Sequence, residues 1–250
     1  MAKKKRTLLI DGDVIAFECC ISNEMEIEWE EDLWVLYSDA SECRQRFDVR
    51  IRHFMEDLEA THVVIALSDT NNFRKDVYPD YKSNRKGKRK PLAYKPLLEY
   101  ISSAYRTEII PSLEADDVLG ILSTGRRITG EKVIVTIDKD LQTVPGLLFN
   151  PNSPELGIRK ISKAEADYQH LWQTLVGDRV DGYPGCPMYG KKKAHILLDE
   201  TPTWEAVVQA FESQGLSEEV ALQQARLARI CRTSDYDSRN KKVILWSPTK

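Results

Sequence analysis

Short apolar runs that each lead into a carboxylate constrain this chain more than any other feature. Thr7-Leu8-Leu9-Ile10 is followed by Asp11, His62 to Leu67 runs on to Asp69, and Lys132 to Ile137 leads to Asp138, with Asp140 just beyond. Such runs, bounded by polar residues and rich in branched side chains, read as buried strands. Between them lie segments with helical spacing: Asp39 to Leu58, about Lys95 to Ala104, and Leu113 to Leu122, which opens Glu114-Ala115-Asp116-Asp117. Thr107 to Ile110 supplies a further brief strand. Strands alternating with helices imply an α/β fold with a mostly parallel, twisted sheet flanked by helices. In an open sheet of this kind ligands bind beyond the carboxyl ends of the strands, so the acids are expected on one rim. Ile27 to Tyr37 reads as a hairpin turning at Glu30-Glu31-Asp32. After Ser162 the character changes to helices and turns: His170 to Val176, a turn-rich Gly177 to Gly190, Lys192 to Leu198, and the pair Trp204 to Ser213 and Ser217 to Arg229. Lys242 to Trp246 reads as a last strand.

The acids gather into one set: Asp11, Asp69, Glu114, Asp116, Asp117, Asp138, Asp140, Asp178 and Asp181. Asp178 and Asp181 are three apart, a spacing that puts both on one helical face. Massed carboxylates raise one another's pKa unless cations neutralise them. Oxygen ligands without His or Cys suit the hard ions Mg²⁺ and Mn²⁺. Two such ions about 3.5–4 Å apart form the usual phosphodiester-cleaving site. Taken singly, each acid is equally well read as a helix cap or a turn residue. Asp13 has two readings, a contact to a metal-bound water or a cap on the helix that follows.

Charge is segregated along the chain. Net formal charge is −3, yet Arg74, Lys75, Lys82, Arg85, Lys86, Lys88, Arg89, Lys90, Lys95 and Arg106 fall within residues 72–106, opposed only by Asp76, Asp80 and Glu99. A basic segment in an acidic chain marks a nucleic-acid partner better than the total does. No apolar run approaches the roughly 18 residues of a membrane span. The basic start, Met1 to Arg6, leads into a strand-like run and not an apolar core, against a signal peptide. Five cysteines, an odd number without CxxC or zinc spacing, suit a reducing compartment. The expected location is the cytoplasm.

Several blocks together resemble the 5′-nuclease (flap endonuclease-like) superfamily. They are Leu8-Leu9-Ile10-Asp11-Gly12; Phe73-Arg74 through Tyr78 to Tyr81-Lys82-Ser83-Asn84-Arg85; Glu114-Ala115-Asp116-Asp117-Val118-Leu119; and Thr136-Ile137-Asp138-Lys139-Asp140-Leu141. Gly177-Asp178-Arg179-Val180-Asp181-Gly182 follows, then Pro184-Gly185 and Gly190-Lys191-Lys192-Lys193-Ala194. Order and spacing agree over residues 7 to 198. The chain looks most like free-standing 5′→3′ exonucleases of bacteriophages and the 5′-nuclease domain of bacterial DNA polymerase I.

The resemblance implies a PIN-like/5′-nuclease core over 1–160 with a helical arch at about 72–106. It also implies a helical DNA-binding subdomain over 161–250, of helix-turn-helix type, with a helix-hairpin-helix-like motif at 171–198. Asp11, Asp69, Glu114, Asp116 and Asp117 would hold one metal; Asp138, Asp140, Asp178 and Asp181 the second. Lys82 and Arg85, at the base of the arch, would contact the scissile phosphate, Tyr81 would stack on a base, and Arg74 would lie on the phosphate backbone. Gly185, Gly190, Lys191, Lys192 and Lys193 would grip duplex backbone, with K⁺ near the 185–190 hairpin. The chain departs from the family pattern at Met188-Tyr189-Gly190, where Gly-Ile-Gly is usual, and at Gly182, where Asn is usual. The implied activity is Mg²⁺- or Mn²⁺-dependent 5′→3′ hydrolysis of duplex DNA to 5′-phosphate products, extending to flaps and to RNA in RNA–DNA hybrids. The competing readings are a PIN-type ribonuclease, which shares the acidic cleft, and a non-catalytic protein that binds DNA structures.

Overall fold

The computed structural model of the protein describes residues 5–248; the basic start of the chain, through residue 4, lies outside the described residues. In chain order the elements are β1 (Arg6–Asp11), α1 (Gly12–Ile21), β2 (Met25–Glu30), β3 (Leu33–Tyr37), α2 (Ala40–Asp57), β4 (His62–Ala66), α3 (Arg74–Val77), α4 (Tyr94–Ala104), β5 (Thr107–Glu108) and α5 (Ala115–Thr124). Then come β6 (Glu131–Val135), β7 (Gly146–Phe149), β8 (Arg159–Ile161), α6 (Lys163–Val176), α7 (Lys191–Glu200), α8 (Trp204–Glu212), α9 (Glu218–Ala228), β9 (Tyr236–Asp237) and β10 (Lys242–Val243).

Six strands make the central sheet in the order β5-β4-β1-β6-β7-β8. Every pairing is parallel except β7 with β8. Because successive side chains of a strand point to opposite faces, Leu8 and Ile10 of β1 face α1, α2 and α4 with Phe47, Ile51, Leu97 and Ile101. Leu9 faces the other side, where Val118, Leu119 and Leu122 of α5 pack. A strand buried on both faces must be apolar throughout, which is why β1, β4 and β6 carry the strongest strand signals in the sequence. A third apolar cluster joins α6, α7, α8 and α9 through Leu171, Leu175, Leu198, Val207 and Phe211.

The boundary expected near residue 160 falls within β8. The two parts interlock: Ile230 and Cys231, beyond α9, pack with α5 against the sheet. The 72–106 segment, expected to form a helical arch, carries helices α3 and α4, and between them it is a turn-rich loop with a single 3-10 turn at Ser83–Arg85. Like charges at Lys86, Lys88, Arg89 and Lys90, with Gly87 at φ 77°, oppose a helix there. The last strand expected at 242–246 shrinks to β10, which pairs with β9 outside the main sheet. Helix α6 starts at Lys163, earlier than expected, because Ser162 and Glu165 form a capping box. The β2–β3 hairpin is a separate two-stranded sheet that leaves Trp29 and Trp34 exposed.

His170 on α6 is buried, and its Nε2 donates to Ala225 O at 2.8 Å. Burial, aided by Arg229, pushes the imidazole down to about 3 from its ordinary 6.5. Below pH 6.5 the unfolded chain takes up this proton and the folded chain does not, so acid erodes stability across the window from 6.5 down to about 3. In urea denaturation the stability gap between the native protein and His170→Gln should therefore shrink as pH falls from 7 to 5. The expected change is up to about 1.4 kcal/mol for each unit below the unfolded value; a gap that does not move with pH would refute the assignment.

Candidate active site

Parallel strands β1 and β6 end side by side, and α5 starts next to them, so chain topology alone delivers Asp11, Asp116 and Asp138 to one place. The resulting cavity, about 160 Å³, is lined by Asp11, Asp13, Ser68, Lys82, Arg85, Glu114, Asp116, Asp138, Asp140 and Asp181, among others. Asp11 is 1% exposed. Its Oδ1 caps α1 by accepting from Val14 N at 3.2 Å, and its Oδ2 accepts from Thr136 Oγ1 at 2.9 Å. Asp138 accepts from Asp140 N at 2.8 Å, and Asp140 Oδ1 accepts from Gln173 Nε2 at 2.6 Å. Among the described residues none donates a hydrogen bond to the Asp116 carboxylate.

Burial, reinforced by Asp13 and Asp138, raises Asp11 to about 7. Burial and then Asp138 raise Asp140 to about 7. Asp116 is pushed well above the carboxylate range by burial, then by Asp11, Asp138 and Glu114. Glu114 behaves in the opposite way. Burial opposes its charge, but Lys82 and Arg74 outweigh it and hold the group at about 2. Lys82 contacts Glu114 Oε1 and lies 3.5 Å from Asp181 Oδ2; despite burial these two acids keep it firmly protonated. Among the described residues no three of these acids yet close around one point as a ligand set. The donor chemistry nonetheless fits a hard divalent cation: Asp116 has no partner, and its carboxylate neighbours repel it.

The predicted site residues divide in two. Asp11, Glu114, Asp116, Asp138, Asp140, Asp181, Lys82 and Arg85 meet at the cavity. Asp178 stands behind it, with Oδ1 accepting from Val180 N and Asp181 N and Oδ2 3.9 Å from Lys139 Nζ. Asp69 does not line the cavity; its Oδ2 accepts from Ser112 N at 2.8 Å, which holds its pKa low. Asp117 is fully buried and chelated by Arg74, with Oδ1 also accepting from Cys231 N. These two, expected as metal ligands, are bound to the protein itself.

Arg74 and Tyr81 are corrected in the same way. Arg74 is 2% exposed and spends its guanidinium on Asp117, Leu227 O and Arg229 O, leaving nothing for a phosphate backbone. Tyr81, also 2% exposed, holds its single O–H between Glu114 Oε2 at 3.0 Å and Asp181 Oδ2 at 2.8 Å and offers no face for a base. Gly185 is corrected too. Its N–H donates to Gln224 Oε1, and with φ 68° it packs on Gly177, where a Cβ would come within 2.4 Å of backbone. That contact closes the 177–185 loop. Gly190 caps α7 without a side-chain partner, and Lys191, Lys192 and Lys193 of its first turn are exposed. Met188 takes φ 64°, the backbone a glycine would take, with its side chain 79% exposed.

Sequence reasoning left Asp13 open and missed Ser68, Thr136 and Gln173. Asp13 does not cap α1, which Asp11 does; it lines the cavity, accepting from Ser68 N at 2.9 Å and Tyr94 OH at 3.1 Å. Thr136 is two residues from Asp138 and was findable by its place in that motif. Gln173 is remote in sequence and carries no signal.

Comparison with known proteins gives a consistent result. Residues 6–146 match the family described as 5′-3′ exonuclease, N-terminal resolvase-like domain. The chain is 30% identical to the exodeoxyribonuclease of Enterobacteria phage T3, over 98% of this chain and 93% of that protein. It is 28% identical to the exonuclease of Escherichia phage T7, over 98% and 94%. Among solved structures, T5 5′-exonuclease with bound divalent zinc ions aligns with a TM-score of 0.68 at 15% identity, over 90% of this chain and 89% of that one. At that identity the likeness is one of fold.

Two outcomes follow from the charge arrangement. Asp116→Asn removes an uncompensated repulsion, so in EDTA the variant should melt above the native protein, by about 2–4 °C for each kcal/mol relieved. Mg²⁺ should stabilise the native protein more than the variant. An Asp116→Asn protein that melts lower in EDTA contradicts the charge assignment. Arg74→Ala strands the buried Asp117 charge and should cost about 3–5 kcal/mol in denaturant unfolding. Native stability with weakened DNA binding would instead restore Arg74 to the substrate interface.

Proposed function

The chain belongs to the 5′-3′ exonuclease family, and from that membership we propose that it is a metal-dependent nuclease degrading duplex DNA from 5′ ends to 5′-phosphate products. The carrying observation is the group Asp11, Asp116, Asp138 and Asp140 around one cavity that Lys82 and Arg85 also line. Divalent ions bound there supply water activation and neutralise charge on the leaving 3′ oxygen. Asp11, Asp116 and Glu114 would hold one ion, and Asp138, Asp140, Asp178 and Asp181 a second. Asp117, chelated by Arg74, fixes the start of α5 beside this set, and Asp69 holds the loop at Ser112. We take the ion to be Mg²⁺, with Mn²⁺ able to replace it, because the donors are all carboxylate oxygen.

The chain's own residues do the rest. Lys82, held between Glu114 and Asp181, is positioned to bind the scissile phosphate, and Arg85 beside Asp181 gives a second cation. Phosphate charge demands such cations, and contacts of this kind read backbone and not base. The same reading extends to flapped ends and to RNA in RNA–DNA hybrids. Away from the cavity, the uncapped start of α7 with Lys191, Lys192 and Lys193 suits duplex phosphates. Met188 keeps the glycine-like backbone of that loop, which supports K⁺ at the 185–190 hairpin. We assign residues 161–250 the duplex-binding part. Among the described residues no helix is long and apolar enough to cross a membrane. The five cysteines are unpaired and buried, which supports a reducing cytoplasm as the working compartment, that of the host cell for a phage-encoded chain.

The test follows 5′-end-labelled and internally labelled duplexes with purified protein in Mg²⁺ and in EDTA. The native protein should release the 5′ label in Mg²⁺ only. Asp138→Asn and Asp140→Asn should bind DNA but cleave at least about 100-fold more slowly, since even outer-shell changes at metal sites cost 10–100-fold. DNA left intact in Mg²⁺ and Mn²⁺, on blunt, recessed and flapped ends alike, would leave a non-catalytic structure-binding role.

A further inference from the structure

We infer that Gln173 is a positioning residue for the metal site, holding Asp140 in place from helix α6; this rests on the metal-dependent reading above. Gln173 is 3% exposed and lies on α6, remote in sequence from β6 and the turn that carries Asp140. Its Nε2 donates to Asp140 Oδ1 at 2.6 Å, which fixes one carboxylate oxygen and leaves the other for a ligand. Its Oε1 is buried with no hydrogen-bond partner.

That orphaned acceptor makes the case for function. A buried polar atom without a partner destabilises a fold, and an apolar side chain of the same shape would remove the penalty. Fold stability therefore gives no reason for an amide at this position. The single bond it makes goes to a carboxylate of the metal set. Hydrogen bonds of this sort orient the carboxylates that touch a metal ion, and losing one commonly lowers metal affinity by about 10–100-fold.

The surroundings make the bond a rigid one. Arg232 bridges α6 and the same turn, donating to Asp167 Oδ1 at 2.6 Å and to Thr143 O at 2.7 Å. Helix α6 is thus fastened to the Lys139–Thr143 turn at two points. Four residues after Gln173 the helix ends at Gly177, and Asp178 follows. One helix thereby sets the separation between Asp140 and the Asp178–Asp181 loop.

The experiment titrates Mn²⁺ into full-length protein without DNA, reading free Mn²⁺ by electron paramagnetic resonance, alongside thermal melts in EDTA. Gln173→Met keeps the size and removes both the donor and the orphaned acceptor. It should weaken Mn²⁺ binding by about 10–100-fold while melting at or above the native temperature. Gln173→Glu, which keeps the shape but replaces the N–H with an acceptor, should weaken binding as well, and it carries the test if the methionine variant does not fold. Native Mn²⁺ affinity in Gln173→Met overturns the proposal, as does a lower melting temperature in EDTA with unchanged affinity. Failure of the native protein to bind Mn²⁺ at all would instead overturn the metal reading on which this one rests.

Discussion

One buried guanidinium holds together the parts from which the site is built. Arg74 opens the basic segment at α3, chelates Asp117 in the first turn of α5, and donates to Leu227 O and Arg229 O at the C-terminal end of α9. Three stretches far apart in sequence are thereby pinned at one point. Asp117 sits one residue from Asp116 and three from Glu114, so fixing Asp117 fixes the start of α5 and aims its neighbours at the cavity. A buried pair of this kind gives little net stability against an apolar replacement, and its value lies in the geometry it enforces.

That bond also explains why the acids behave differently from one another. The protein supplies its own close cations to three of the nine acids: Arg74 to Asp117 and Glu114, Lys82 to Glu114 and Asp181, and Arg85 to Asp181. The compensated Glu114 stays ionised down to about pH 2. Asp11, Asp116 and Asp140 receive no comparable cation and are driven upward by burial and by each other. A site with every acid paired would need no metal, and one with none paired would resist folding. Leaving one subset uncompensated concentrates the demand for divalent charge at a single place.

The strands, the acidic rim and the order of helices were legible because each follows from local chemistry. β1, β4 and β6 are apolar on both faces, and topology places their carboxyl ends together without further information. What sequence could not give was which way each polar side chain points. Arg74, Tyr81 and Gly185 sit in motifs that face substrate by resemblance, yet here they serve the interior. Asp69 and Asp117 look like their neighbours in sequence and differ only in being claimed by Ser112 N and by Arg74. The strands β7 and β8 were missed because they are short, and β8 lies at the sheet edge, where burial imposes a weaker apolar pattern.

The stretch of the basic segment between α3 and α4 shows how a turn-rich loop can still present fixed charges. Its base is clamped to the loop after α6: Lys82 N donates to Asp181 O, Asn84 Nδ2 to Arg179 O, and Arg85 to Asp181 Oδ1. Lys82 itself takes φ 56°, a left-handed turn that sends its side chain into the cavity while the chain bends away. Farther out, Arg89 is tied to Glu24 at the foot of the β2–β3 hairpin. Lys86 and Lys88 remain exposed between these two anchors, and Lys90 just beyond the second. Charges held this way attract a phosphate chain over several ångströms without the ordering cost of a mobile arm. Lys82 and Arg85, which we propose bind the scissile phosphate, are both fastened to Asp181 at that clamp.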